Sequence, residues 1–399
     1  MTADTDFRTA TKPVLAAMLQ ASRRDTLATF AAFEAALPTL QVPYRTELNP
    51  PLWELGHIDW FQHYWLHRNP QRALGVAADA AATRLPPRGL DSNELFNSSQ
   101  VPHEARWQLT LPCATALRAG LESGLERTLE LLHHCADTDQ GLYFHRLALA
   151  HEDMHHEAAL YMAQALALPL LPSRWQLQAP AAPLQTLTLD AQCFGTGCTG
   201  VGFAFDNEIG AHAVDLPACQ IDSRVVVWGE YLPFVESGGY AQPRWWTETG
   251  RAWCTASGAS SPRYLRRDGS GWQRQVGNTW QMLDPALPAC HVTAHEADAW
   301  CAWAGRRLPR EAEWERAAVH GGAAFDWGYV WEWTASAFAP YPGFVAHPYQ
   351  DYSAPWFGSR RVLRGASFAT QPRLRHPRYR NYFTPERNDI FAGFRSCAL

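Results

Sequence analysis

The sequence predicts a multidomain α and α+β protein, a four-helix bundle followed by an α+β domain. Three observations carry that expectation. Residues up to about 170 hold long stretches of helical periodicity with few breakers. A proline- and alanine-rich segment over 169–183 interrupts the pattern. Beyond it come short β-branched runs, frequent glycines and tryptophan pairs such as Trp245-Trp246.

The first helix is expected over 11–37, an Ala/Leu-periodic stretch without a breaker after Pro13. A second over 52–67 has Trp53, Gly56, Trp60 and Tyr64 recurring at helical spacing. A long polar crossover containing Pro86, Pro87 and Pro102 leads to a third helix over 111–136, and a fourth follows over 142–167. In the second region, residues 223–228 read as a strand. Helices are expected there only over 293–304 and 309–318. The division falls at 1–172 and 185–399.

Hydrophobic residues make up 47% and charged residues 18% of the chain, the balance of a soluble globular protein. A formal net charge of −5 gives no electrostatic reason to expect nucleic acid as a partner. No stretch approaches the roughly 18 apolar residues of a membrane span, so no membrane partner is expected. The N-terminus carries Asp4 and Asp6 rather than the basic start of a secretory signal. Nine dispersed cysteines without a CxxC pair suit reduced thiols and a cytoplasmic location. The 18 tryptophans imply a large aromatic core, because each buried ring N–H needs a partner.

The sharpest local pattern is His151-Glu152-Asp153-Met154-His155 on the fourth helix. Positions i and i+4 share a helix face, so both imidazoles can reach one ion. HExxH first suggests a zinc protease with Glu152 as general base. The extended motif would need a glycine and a third histidine, where this chain has Ala158 and Tyr161. No carboxylate follows Glu157 until Asp190, which removes the alternative ligand. A third ligand must therefore come from another helix. His57 lies on an apolar stripe with Trp53, Trp60 and Phe61 and should point inward, whereas His63 should point elsewhere. Three neutral imidazoles suit iron(II), zinc or copper by ligand type alone.

The C-terminal half resembles the formylglycine-generating enzyme domain, a variant of the C-type-lectin fold. The resemblance rests on Trp300-Cys301-Ala302-Trp303-Ala304-Gly305-Arg306-Arg307-Leu308-Pro309 and on Val330-Trp331-Glu332-Trp333-Thr334. Val362-Leu363-Arg364-Gly365-Ala366-Ser367 and Phe391-Ala392-Gly393-Phe394-Arg395 continue it in order. Residues 368–381 contain no cysteine, which excludes formylglycine chemistry. A DinB-like helical bundle carrying histidines and fused to this domain is the layout of the ergothioneine sulfoxide synthases, and the likeness covers nearly the whole chain.

That resemblance implies a non-heme Fe(II) cofactor on His57, His151 and His155, with hercynine and dioxygen as small-molecule substrates. It implies a catalytic tyrosine at Tyr349, with Tyr352 second, donating a proton or hydrogen atom during turnover. Asn381 and Tyr382 would hold hercynine, with an aromatic ring facing its trimethylammonium group. Two positions depart from the family pattern: Met154 replaces a glutamine and Phe383 an aspartate that would engage a peptide thiol. Arg106 falls where the family keeps a donor-binding arginine. The segments 49–57 and 151–158 look most like the selenoneine synthases, whose donor is a selenosugar. C–Se bond formation at C2 of the hercynine imidazole is therefore expected. The alternative is an ergothioneine-type reaction with cysteine or another small thiol, and a non-catalytic lectin-like module is the reading from a different class.

Overall fold

The computed structural model describes residues 6–87, 89–90, 92–169, 173–269 and 271–399. Four long helices form where the periodicity predicts: α1 Lys12–Ala36, α2 Pro51–Gln62, α3 Ala114–His134 and α4 Asp139–Ala165. Pro51 opens α2 at a position whose N–H would have no partner in any case. The Thr138 hydroxyl caps α4 by accepting from Gly141 N at 3.2 Å. The expected helix over 52–67 is in fact two pieces, because α2 passes into a π-helical turn at His63–His67. The crossover to α3 is less irregular than expected. It holds one helical turn, Asn93–Phe96, and 3-10 segments at Arg72–Ala77 and His103–Trp107.

One glycine in α2 has a clear steric reason. A Cβ on Gly56 would lie 2.2 Å from the Phe96 ring. Glycine thus lets Phe96 seat against α2, which brings the Phe96 carbonyl to His57.

Strands begin at Thr186. A four-stranded sheet pairs Thr186–Leu189, Cys219–Asp222, Cys397–Ala398 and Arg306–Arg307 in that order. A second has the order Asn381–Phe383, Arg361–Gly365, Trp331–Ala337 and Ala392–Gly393. Two expectations fail here. Residues 223–228 are not a strand: Glu230 accepts from Val227 N at 3.0 Å and pairs with Arg224, which starts helix α5 at Trp228–Glu236. A further helix, α6 at Glu248–Ser257, runs from the Thr247 cap to Gly258 in the left-handed region. Pro233 inside α5, and in α6 an interior Gly250 with no buried apolar stripe, hid both from periodicity. The expected helices appear as α7 Ala294–Trp303 and α8 Glu311–His320.

The proline-rich stretch between the halves is anchored, since Trp175 and Leu177 are buried; residues 170–172 lie outside the described residues. Buried apolar side chains from both halves form one continuous cluster. Polar contacts cross the same boundary: Arg8 pairs with Glu208, and Arg373 with Asp153 at 2.6 Å. No described helix is long and apolar enough to cross a membrane.

Candidate metal centre and substrate cavity

Helices α2 and α4 bring His57, His151 and His155 together, with one ligand atom from each lying within 4.8 Å of the others. Each ring is held by a different device. His57 Nδ1 donates to Phe96 O at 2.8 Å, and its ring stacks between Trp53 and Trp60 at 4.7 and 5.5 Å. His155 Nδ1 donates to Glu54 Oε2 at 2.6 Å. The His151 ring lies flat on Phe61 at 3.5 Å. With Nδ1 occupied, Nε2 is the free nitrogen of His57 and of His155. His151 Nε2 is buried without a hydrogen-bond partner.

Electrostatics keep the corner ready for a cation. Burial lowers the His57 pKa to about 3, with His155 adding to the effect, so the ring is neutral. Burial likewise holds His151 well below its usual value. Burial alone would raise Glu54, but His155 and the hydrogen bonds that His155 and Asn49 donate outweigh it and hold the carboxylate at about 2. Three imidazoles with converging nitrogens, one of them an orphan, fit a divalent transition metal.

A brace stands behind these rings. Asn49 Nδ2 donates to Glu54, and Arg106 Nη1 donates to Asn49 Oδ1 at 2.8 Å. The Arg106 guanidinium also lies 3.8 Å over the Trp53 ring that backs His57. Arg106 is therefore behind the metal corner, not on the cavity wall where a donor-binding role would place it. Glu152 and Asp153, between the two α4 histidines, do structural work. Glu152 takes Arg23 Nε at 2.7 Å in a buried ion pair, which removes it as a general base.

In front of the corner is a cavity of about 220 Å³ lined by His151, His155 and a ring of aromatic side chains. Of the residues predicted from sequence, Met154, Tyr349, Tyr352, Asn381 and Phe383 line it. Tyr382 does not. Successive residues on Asn381–Phe383 point to opposite faces, so Asn381 and Phe383 face the cavity while Tyr382 stacks on Phe338 at 3.9 Å. Sequence reasoning missed Tyr161, Trp331 and Tyr379, which complete the aromatic wall.

Among the described residues lining the cavity there is no lysine or arginine. The only carboxylate, Glu157, is spent on Trp331 Nε1, Ser367 Oγ and Thr370 Oγ1 at 2.8, 2.6 and 2.7 Å. Arg387 approaches the Phe383 ring at 5.0 Å but is paired with Asp389. The two candidate tyrosines differ. The Tyr349 ring lies 4.9 Å from Phe61 and 6.4 Å from His151. The Tyr352 hydroxyl is 3.1 Å from that of Tyr379, and its ring stacks on Phe205. Burial pushes both phenols above their ordinary range, so both keep their protons.

Fold and site together define a three-histidine metal-type centre built by a helical region on a C-type-lectin-like domain. The Sulfatase-modifying factor enzyme 1-like domain model matches residues 186–329 and 326–398. Hercynine oxygenase from Mycolicibacterium smegmatis is 30% identical, over 88% of this chain and 91% of the relative. The enzyme of that name from Mycolicibacterium thermoresistibile is 31% identical, over 89% of each. Formylglycine-generating enzyme from Streptomyces coelicolor is 27% identical over 50% of this chain and 83% of the relative. The chain belongs to the hercynine oxygenase family.

Proposed function

We propose that the protein is an iron(II)- and dioxygen-dependent selenoneine synthase, joining C2 of the hercynine imidazole to the selenium of a selenosugar. The observation that carries the choice of donor is the cavity wall, which offers no free charge. Hercynine, itself a zwitterion, takes up the ring faces and Asn381, so a zwitterionic peptide thiol would bring a second ammonium and carboxylate whose burial without partners is costly. A sugar brings neutral hydroxyls that hydrogen bonds and aromatic faces satisfy. Family membership supports hercynine as the acceptor, as the relatives' name says of them.

His57, His151 and His155 hold the metal. Bound iron(II) supplies the one-electron chemistry through which dioxygen reacts with closed-shell substrates. The protein's own residues do the rest. Tyr161, Trp331 and Tyr379 present ring faces to the trimethylammonium group. The Asn381 amide donates to the hercynine carboxylate. Met154 and Phe383 exclude water from the reacting centre. Tyr349 Oη, protonated and beside His151, supplies a proton during turnover. Holding the two substrates side by side turns a three-body encounter into a reaction between neighbours. The balance closes on dioxygen: the C2–H and Se–H hydrogens leave as water with one oxygen atom, and the other ends on selenium as a selenoxide.

Anaerobic reconstitution with iron(II), followed by hercynine, equal selenosugar and cysteine, and then air, tests this by mass spectrometry of the products. A selenium-bearing imidazole is expected. A sulfur product alone would assign the ergothioneine-type reaction instead.

A further inference from the structure

A second cavity, of about 130 Å³, lies away from the metal corner, between the anchored strap at Trp175 and the hairpins over 265–282. We propose that it binds a small oxyanion, a carboxylate or a phosphate, through Arg274, Tyr264 and His291.

The charge on its wall is one-sided. Arg263 and Arg274 line it, and among the described lining residues there is no aspartate or glutamate. Arg263 is engaged, with Nη1 on Asn388 Oδ1 at 3.1 Å and Nη2 on Glu47 Oε1 at 3.2 Å. Arg274, in strand Gly271–Val276, makes no hydrogen bond or ion pair through its guanidinium among the described residues. Burial draws its pKa below the usual arginine value, with Cys290 and Asp284 acting on it only through the field. Its nitrogens remain open to solvent, so an anion arriving there exchanges water for a charge-assisted pair.

Two more polar groups on the same wall lack partners. Tyr264 Oη and His291 Nδ1 are both buried and unbonded, and the two rings meet edge to face at 4.7 Å. Both residues also sit in the left-handed region, at φ 65° and 63°. That conformation is unfavourable for side chains of this size and persists where surrounding structure enforces it. Only four non-glycine residues in the described chain adopt it, and two of them face each other here. A trapped water would satisfy the phenol and the imidazole but would leave the charge on Arg274 uncompensated. An oxyanion pairs with Arg274 and accepts from the Tyr264 hydroxyl, and it accepts from His291 in the tautomer that carries the proton on Nδ1. The site also has a link to the metal cavity: His291 touches Phe391 at 5.5 Å, and Phe391 touches the cavity residue Tyr161 at 6.3 Å.

The test is calorimetric titration of the anaerobic, iron-loaded chain with inorganic phosphate and, separately, with acetate at constant ionic strength. Iron also takes oxyanions, so the readout is the difference between wild type and Arg274→Gln. Wild type should show a saturable event whose Kd rises about tenfold or more in Arg274→Gln, the loss of one charge-assisted contact. Tyr264→Phe should raise it about threefold, and carries the test if Arg274→Gln does not fold. Binding of acetate alone assigns a carboxylate, and of phosphate alone a phosphate. Identical isotherms in wild type and both variants, or no saturable event with either anion, would overturn the proposal.

Discussion

The metal corner and the wall opposite it are built on different principles. In the corner, polar atoms are fixed in advance: Phe96 and Glu54 take the Nδ1 atoms of His57 and His155, and Asn49 and Arg106 hold Glu54 and Trp53. The wall is a set of rings with no free charge, contributed by α4 and by four separate segments of the C-terminal half. Preorganised donors suit chemistry that requires one geometry. An uncharged aromatic surface suits selection among substrates. On the proposed function, the corner decides whether a reaction occurs and the wall decides on what.

Substitutions in the two regions should therefore fail differently. The largest effect is expected for His151→Ala: metal content by elemental analysis should fall below stoichiometry, and turnover should drop by about a thousandfold or more. Full iron-dependent activity in that variant would break the account of the corner. Tyr349→Phe keeps the ring and removes the proton, so kcat for C–Se formation should fall about a hundredfold with the KM for hercynine little changed. An unchanged kcat would move the role to Tyr352. Glu54→Gln should weaken iron binding by about 10- to 100-fold, measured by competition with a chelator, because His155 loses its anionic partner. Phe383→Asp should leave the metal in place and cut kcat/KM for the selenosugar by about tenfold, the cost of an unpaired carboxylate on the wall.

The corner was readable in the sequence and the wall only partly. Two histidines four residues apart and a third on an apolar helix stripe specify one site, because helical geometry converts spacing directly into direction. Glu54 was readable in the same way and was missed, although it lies three residues before His57 on the same face. The Phe96 contact was not, since a backbone carbonyl leaves no mark on residue type. The wall depends on how distant segments meet. Trp331 reaches it through sheet register, Tyr379 from the loop before the strand Asn381–Phe383, and the alternation along that strand turns Tyr382 away from the cavity. Arg106 was placed by its likeness to a family position, which says nothing about the Trp53 ring it covers. Helices α5 and α6 escaped periodicity for a local reason, an interior proline in one and an interior glycine without a buried apolar stripe in the other.

The most direct test of the central claim, that an uncharged wall selects a neutral donor, is the ratio of kcat/KM for selenosugar to that for cysteine in wild type and in Phe383→Asp. The account predicts a ratio well above one in wild type that falls by about tenfold in the variant. A wild-type preference for cysteine, or a ratio indifferent to Phe383, would contradict it.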